Sequence, residues 1–80
     1  MSHVALIQHL AEALVDHASA VSVREVEGHP SPVIELRVDP TDLGKVIGRR
    51  GQTARALRGV LSAACARTGR RAVLNIVEEE

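Results

Sequence analysis

Apolar residues recur at helical spacing over residues 3–17: Ile7, Leu10 and Leu14 share one stripe, Leu6 and Ala13 flank it, and Gln8, Glu12 and Asp16 lie opposite. The spacing predicts an amphipathic helix with Ser2 as its N-cap. From Ala20 to Val26 the period falls to two, with Val21 and Val23 on one face and Ser22 and Arg24 on the other. That strand ends in Glu27-Gly28-His29-Pro30-Ser31-Pro32, a run dense in turn formers. Val33–Val38 alternates again, placing Ile34, Leu36 and Val38 together against Glu35 and Arg37, so the two runs predict a hairpin. Asp39 and Pro40 then open a short helix, the first as cap and the second with its dihedral preset for a first turn. Gly48 and Gly51 interrupt that helix. Helical spacing resumes over Gln52–Thr68 through Leu57, Leu61, Ala64 and Cys65, with Arg55, Arg58 and Ser62 on the polar side. Gly69 suits a left-handed helix stop, and Ala72–Val77 reads as a last strand.

The order α-β-β-α-α-β predicts an α+β layer with helices packed over a small three-stranded sheet. Eighty residues make one domain, and a chain so short buries only about 60% of its unfolded surface. Its parts are an N-terminal helix (1–19), a β-hairpin (20–38), two helices about a glycine turn (39–69), a closing strand (70–77) and an acidic tail (78–80). There is no Phe, Trp or Tyr, so the core must be aliphatic, and base stacking on aromatic platforms is disfavoured. One cysteine excludes an internal disulfide and four-cysteine zinc sites, and fits a reducing, cytoplasmic setting. No membrane span and no signal segment is expected.

Charge changes the picture more than composition does. Ten basic and ten acidic side chains cancel over the whole chain. Residues 1–43 hold two basic groups against seven acids, a balance of −5, and residues 44–80 hold eight against three, a balance of +5. Between Gly44 and Val77 there is no acid. A neutral total therefore does not argue against a polyanionic partner.

The segment that carries chemistry is Gly44-Lys45-Val46-Ile47-Gly48-Arg49-Arg50-Gly51-Gln52-Thr53. Two glycines three apart between helices make a tight turn at a helix N-terminus, where free N–H groups and the positive dipole end suit a phosphate. Without Cβ atoms, Gly48 and Gly51 let a sugar-phosphate backbone approach, and the two residues between them are both arginine. The dinucleotide and Walker glycine patterns do not fit.

Val46-Ile47-Gly48-Arg49-Arg50-Gly51 resembles the signature of the KH domain, whose GXXG loop clamps about four nucleotides of single-stranded RNA or DNA. The element order is similar to the type II, bacterial form: helices on one face of a three-stranded mixed sheet, covering the whole chain. The chain is most similar to small stand-alone bacterial KH proteins, down to Ala54-Arg55-Ala56-Leu57-Arg58 after the loop. The resemblance implies a cytoplasmic RNA-binding protein that acts as an RNA chaperone or post-transcriptional regulator. It also implies partners: single-stranded RNA, and either a second copy or a larger KH-containing protein. Carried over, it makes Gly48, Arg49, Arg50 and Gly51 the backbone clamp, with Gln52 following. Ile47 becomes the groove floor, and Lys45 and Arg55 its flanking cations. Ala54 stands where many KH domains have a large aliphatic residue, which implies a shallower groove and low sequence specificity.

The remaining residues have simpler readings. Arg67, Arg70 and Arg71 end a helix favourably through its dipole. His3, His9, His17 and His29 lack metal-ligand spacing, and no metal or other cofactor is expected. Cys65 has no neighbouring base to activate it, and Glu25 and Glu27 have no acid–base partner, so neither an enzyme nor a small-molecule substrate is expected. The alternative to RNA binding is a protein–protein adaptor, motivated by the acid-rich first half and the strand edges a three-stranded sheet leaves open.

Overall fold

A computed structural model describes residues 1–78, so Glu79 and Glu80 of the predicted tail lie outside the described residues. Six elements follow one another: α1 (His3–Leu14), β1 (Ser22–Val26), β2 (Val33–Arg37), α2 (Leu43–Ile47), α3 (Gln52–Thr68) and β3 (Val73–Ile76). β2 is the central strand. It pairs antiparallel with β1, Val23 opposite Leu36, and parallel with β3, Ile34 opposite Leu74 and Leu36 opposite Ile76. Alternation then puts Ile34, Leu36, Leu74 and Ile76 on one face, all buried, and the helices cover that face. The α+β, mixed-sheet layer is the one the sequence predicts.

The core is wholly aliphatic. Ile7, Ala11, Ile34, Leu36 and Val46 are fully buried, and Val21, Ala54, Leu57, Leu61, Leu74 and Ile76 complete it. Each fully buried Ile or Leu contributes about 1.5–3 kcal/mol, which is how a chain without aromatic rings reaches a stable core.

Three expectations change. The first helix ends at Leu14 rather than continuing through residue 17. Its backbone turns away because the His17 N–H donates to the Asp42 carboxylate at 3.0 Å, and a 3-10 turn at Ala18–Ala20 leads into β1. The buried row of α1 is His3, Ile7 and Ala11, one notch from the predicted stripe, and Leu14 is exposed. The strands are shorter at their ends than predicted, β1 beginning at Ser22 and β3 spanning Val73–Ile76.

The caps match the sequence. Ser2 accepts from the Ala5 N–H at 3.0 Å, and Asp39 accepts from the Thr41 N–H and hydroxyl. Those two Thr41 bonds hold the Asp39 carboxyl below its usual range. Pro40–Asp42 forms a 3-10 turn that runs into α2, and Gly69 ends α3 in the left-handed conformation, its N–H donating to the Cys65 carbonyl.

Candidate nucleic-acid interface

Four residues reverse the chain between α2 and α3. Gly48 closes α2, its N–H bonded to the Gly44 carbonyl, and adopts φ +77°, ψ 170°. Arg49–Gly51 forms a 3-10 turn in which Arg50 has φ +53° and Gly51 has φ +74°. A Cβ at Gly48 would collide with the Thr53 hydroxyl and lie 2.8 Å from the Thr53 Cβ and N. A Cβ at Gly51 meets only the Arg55 guanidinium, at 3.6 Å. Arg55 Nη1 donates to the Arg50 carbonyl at 2.8 Å and so braces the turn from the first coil of α3. Among the described residues the N–H groups of Arg49 and Arg50 have no backbone acceptor, as expected at a helix start.

The other predicted site residues separate into three situations. Arg49, Arg50, Gln52 and Arg55 are exposed around the turn, with Gly48 and Gly51 partly covered. Ile47 is half-buried against the core, and Ala54 is in the core itself at 4% exposure, beneath the turn. The Lys45 ammonium lies between Asp16 at 3.2 Å and Asp42 at 3.5 Å, toward the end of α1. These carboxylates, Asp16 foremost, raise its pKa above the ordinary lysine value.

Asp42 organises that corner. Its carboxylate is almost wholly buried and accepts from both the backbone N–H and the Nδ1 of His17. Burial pushes its pKa up, but the His17 hydrogen bonds outweigh burial and hold it below the usual carboxylate range. The same bond raises the pKa of His17. The buried carboxylate ties the end of α1 to the start of α2, and so to the helix that carries the turn.

A groove of about 820 Å³ lies between α3, from Arg58 onward, and β3. Its α3 wall is a single helical face carrying Arg58, Leu61, Ser62 and Cys65, in line with Arg55 nearer the turn. Across it stand Val73, half exposed, and Arg71. The Cys65 thiol donates to the Ala72 carbonyl at 3.7 Å. The sequence reads Arg58 and Ser62 only as a polar helix side and Arg71 only as a helix-ending cation, and it does not single out Val73. The usable signal is that Arg58 and Ser62 border the apolar Leu61 and Cys65, the margin where a helix leaves its core.

Charge is distributed to match. Arg24 is paired with Glu35 at 2.9 Å, and Lys45 with its two acids. The seven arginines from Arg49 to Arg71 make no ion pair among the described residues, and all are exposed. Among the described residues no cluster of side chains has the makings of a metal site, and no helix is long and apolar enough to cross a membrane.

A Gly-Arg-Arg-Gly turn held between two helices over an α-β-β-α-α-β layer is the architecture of a KH domain. The family model described as "KhpA/KhpB, KH domain" matches residues 4–76. "RNA-binding protein KhpA" of Aquifex aeolicus is 51% identical over 73 residues, covering 91% of this chain and 92% of that protein. The protein of the same name from Halalkalibacterium halodurans is 49% identical over 73 residues, covering 91% and 96%. That of Borreliella burgdorferi is 43% identical over 77 residues, covering 96% and 94%. No solved structure matched the chain. The chain belongs to the KhpA/KhpB KH-domain family.

Proposed function

We propose that this chain binds single-stranded RNA with low sequence specificity, as an RNA chaperone or post-transcriptional regulator of the cytoplasm. The observation that carries the reading is the set of unpaired arginines gathered on the turn and on α3 beside an open groove. A phosphate held at the turn meets the N–H groups and guanidiniums of Arg49 and Arg50 and the positive end of the seventeen-residue α3. The bases then lie in the groove, on Val73 and Ala66, with the Ser62 hydroxyl and the Arg58 and Arg71 side chains as its polar groups. Aliphatic contact and mobile cations discriminate bases weakly, which accounts for the low specificity. Lys45 joins the clamp only by exchanging Asp16 and Asp42 for phosphate, so Arg49 and Arg50 are its main cations. Binding weakens with salt, by about 0.7 in log–log slope for each phosphate neutralised on a single strand.

One module with few contacts binds weakly, and pairing with a second copy or a larger KH-containing protein raises the effective concentration of sites. Val60, 43% exposed on the side of α3 away from the groove, is the apolar residue such a pairing would cover.

The test replaces Arg49 and Arg50 together by Asp, a residue that tolerates the left-handed conformation seen at Arg50. Fluorescence anisotropy with a labelled single-stranded RNA is expected to show at least a tenfold loss of affinity, with the far-ultraviolet dichroism unchanged. Unaltered affinity in a folded double variant overturns the clamp.

A further inference from the structure

A second cavity, of about 400 Å³, lies between the start of α1 and the end of α3; Ser2, His3, Glu25, Thr68, Arg70 and Arg71 stand around it. Arg71 lines both this cavity and the α3–β3 groove, so the two hollows meet at that residue. The turn that presents the arginines is pinned from below. The Thr68 hydroxyl donates to the Ala64 carbonyl at 3.0 Å. Its oxygen therefore accepts from the Nε2–H of His3, at 3.3 Å, and from the Arg70 backbone N–H, at 3.3 Å. His3 itself is 9% exposed. Gly69 reverses the backbone just before the two arginines. Neither guanidinium has a hydrogen bond or ion pair among the described residues, although Glu25 faces the same cavity from β1. Two unpaired, planar cations on a fixed turn at the mouth of a hollow match the oxygens of a phosphodiester.

We propose that this cavity is a second phosphate site, occupied by the same RNA strand after it leaves the groove past Arg71. The proposal rests on the RNA-binding reading above and adds to it a length. The seventeen residues of α3, which separate the glycine turn from Arg70, span about 25 Å at 1.5 Å per residue. A strand advancing 3.4 Å per nucleotide covers that in about seven nucleotides, and in fewer when extended. A tetramer, at about 14 Å, therefore reaches from the turn only to the near end of the groove at Arg58, whereas a decamer reaches Arg70. Glu25 repels the phosphate, which accordingly sits at the arginine end.

Anisotropy titrations of labelled oligouridylate tetramer and decamer against the wild-type chain and the Arg70→Ser and Glu25→Gln variants test this. Arg70→Ser is expected to lower decamer affinity about fivefold, to reduce its salt slope by about 0.7, and to leave tetramer affinity unchanged. Glu25→Gln is expected to raise decamer affinity about twofold, a step of the size surface charges give. Equal decamer affinity for Arg70→Ser and wild type, or an equal loss on both lengths, overturns the second site. Failure of the wild type to bind either oligomer overturns the RNA-binding reading itself.

Discussion

Replacing Gly48 by Ala tests whether the turn is built as described. At φ +77°, ψ 170° the residue occupies a region open essentially to glycine alone, and holding an L-residue there costs about 1–3 kcal/mol. The new methyl group also has nowhere to go. It meets the Thr53 hydroxyl and stands 2.8 Å from the Thr53 Cβ and backbone nitrogen. Thr53 is β-branched and stiff at χ1, and its nitrogen belongs to the first turn of α3, so neither yields cheaply. Overpacking of this kind adds about 1–3 kcal/mol. The two costs together reach about 2–6 kcal/mol, against about 4–12 kcal/mol for the total stability of a domain this size. In urea melts followed at 222 nm, with a slope near 1 kcal/mol per molar, the midpoint is expected to fall by about 2 M or more. Thr53→Ala in the Gly48→Ala background removes the hydroxyl and should recover about 1 kcal/mol as coupling between neighbours. Gly51→Ala should cost only about 1–2 kcal/mol, because its left-handed backbone is strained but its space is open. A Gly48→Ala variant as stable as wild type, or less affected than Gly51→Ala, refutes the reasoning.

Other expectations follow from the caps and the buried carboxylate. The Asp42 hydrogen bond raises the pKa of His17, so the pair's contribution is complete below the unfolded value near 6.5 and is lost as pH rises through the folded one. His17→Gln should flatten the fall of Tm above pH 6.5, and an unchanged slope would remove the pair as its cause. Asp42 has a lowered pKa, so its contribution is present above the ordinary carboxylate value near 3.8 and fades as pH falls through the folded one; Asp42→Asn should reduce that acid limb of the Tm profile. Ser2→Ala deletes the bond to the Ala5 N–H and should cost about 1 kcal/mol, read from the same urea melts. Lys45→Gln should lower Tm while reducing RNA affinity far less than Arg49→Gln, because its ammonium is held by Asp16 and Asp42; equal losses of affinity would place Lys45 in the clamp.

What could be read in the sequence was local. The span of α3 is the predicted Gln52–Thr68, because left-handed glycines stand at both its ends, Gly51 and Gly69. The turn itself was legible for the same reason: only glycine suits Gly48, and the residues between the glycines declare their charge. The end of α1 was not, since its terminator is the Asp42 carboxylate twenty-five residues away. Nor was the buried phase of α1, where Leu6, Leu10 and Leu14 compete with Ile7 and Ala11 and no period decides between them. Packing decides, and the small Ala11 lets the helix approach its neighbours. The groove was hidden because its walls, α3 and β3, become adjacent only through the sheet. The pairing of Lys45 was hidden too: Asp42 is close in sequence, but Asp16 belongs to another part of the chain.

The parallel pairing of β2 with β3 has a kinetic consequence. Everything between Arg37 and Val73, the glycine turn included, is a single crossover that must close before the third strand finds its place. Closing a loop of that length costs about 3 kcal/mol of chain entropy, and α2 and α3 shorten the effective loop only once they have formed and met. The segment shaped to hold a ligand is thus also the segment whose ordering gates assembly of the sheet. Substitutions on the turn should slow refolding as well as weaken binding, whereas changes on the β1 edge should mainly hasten unfolding.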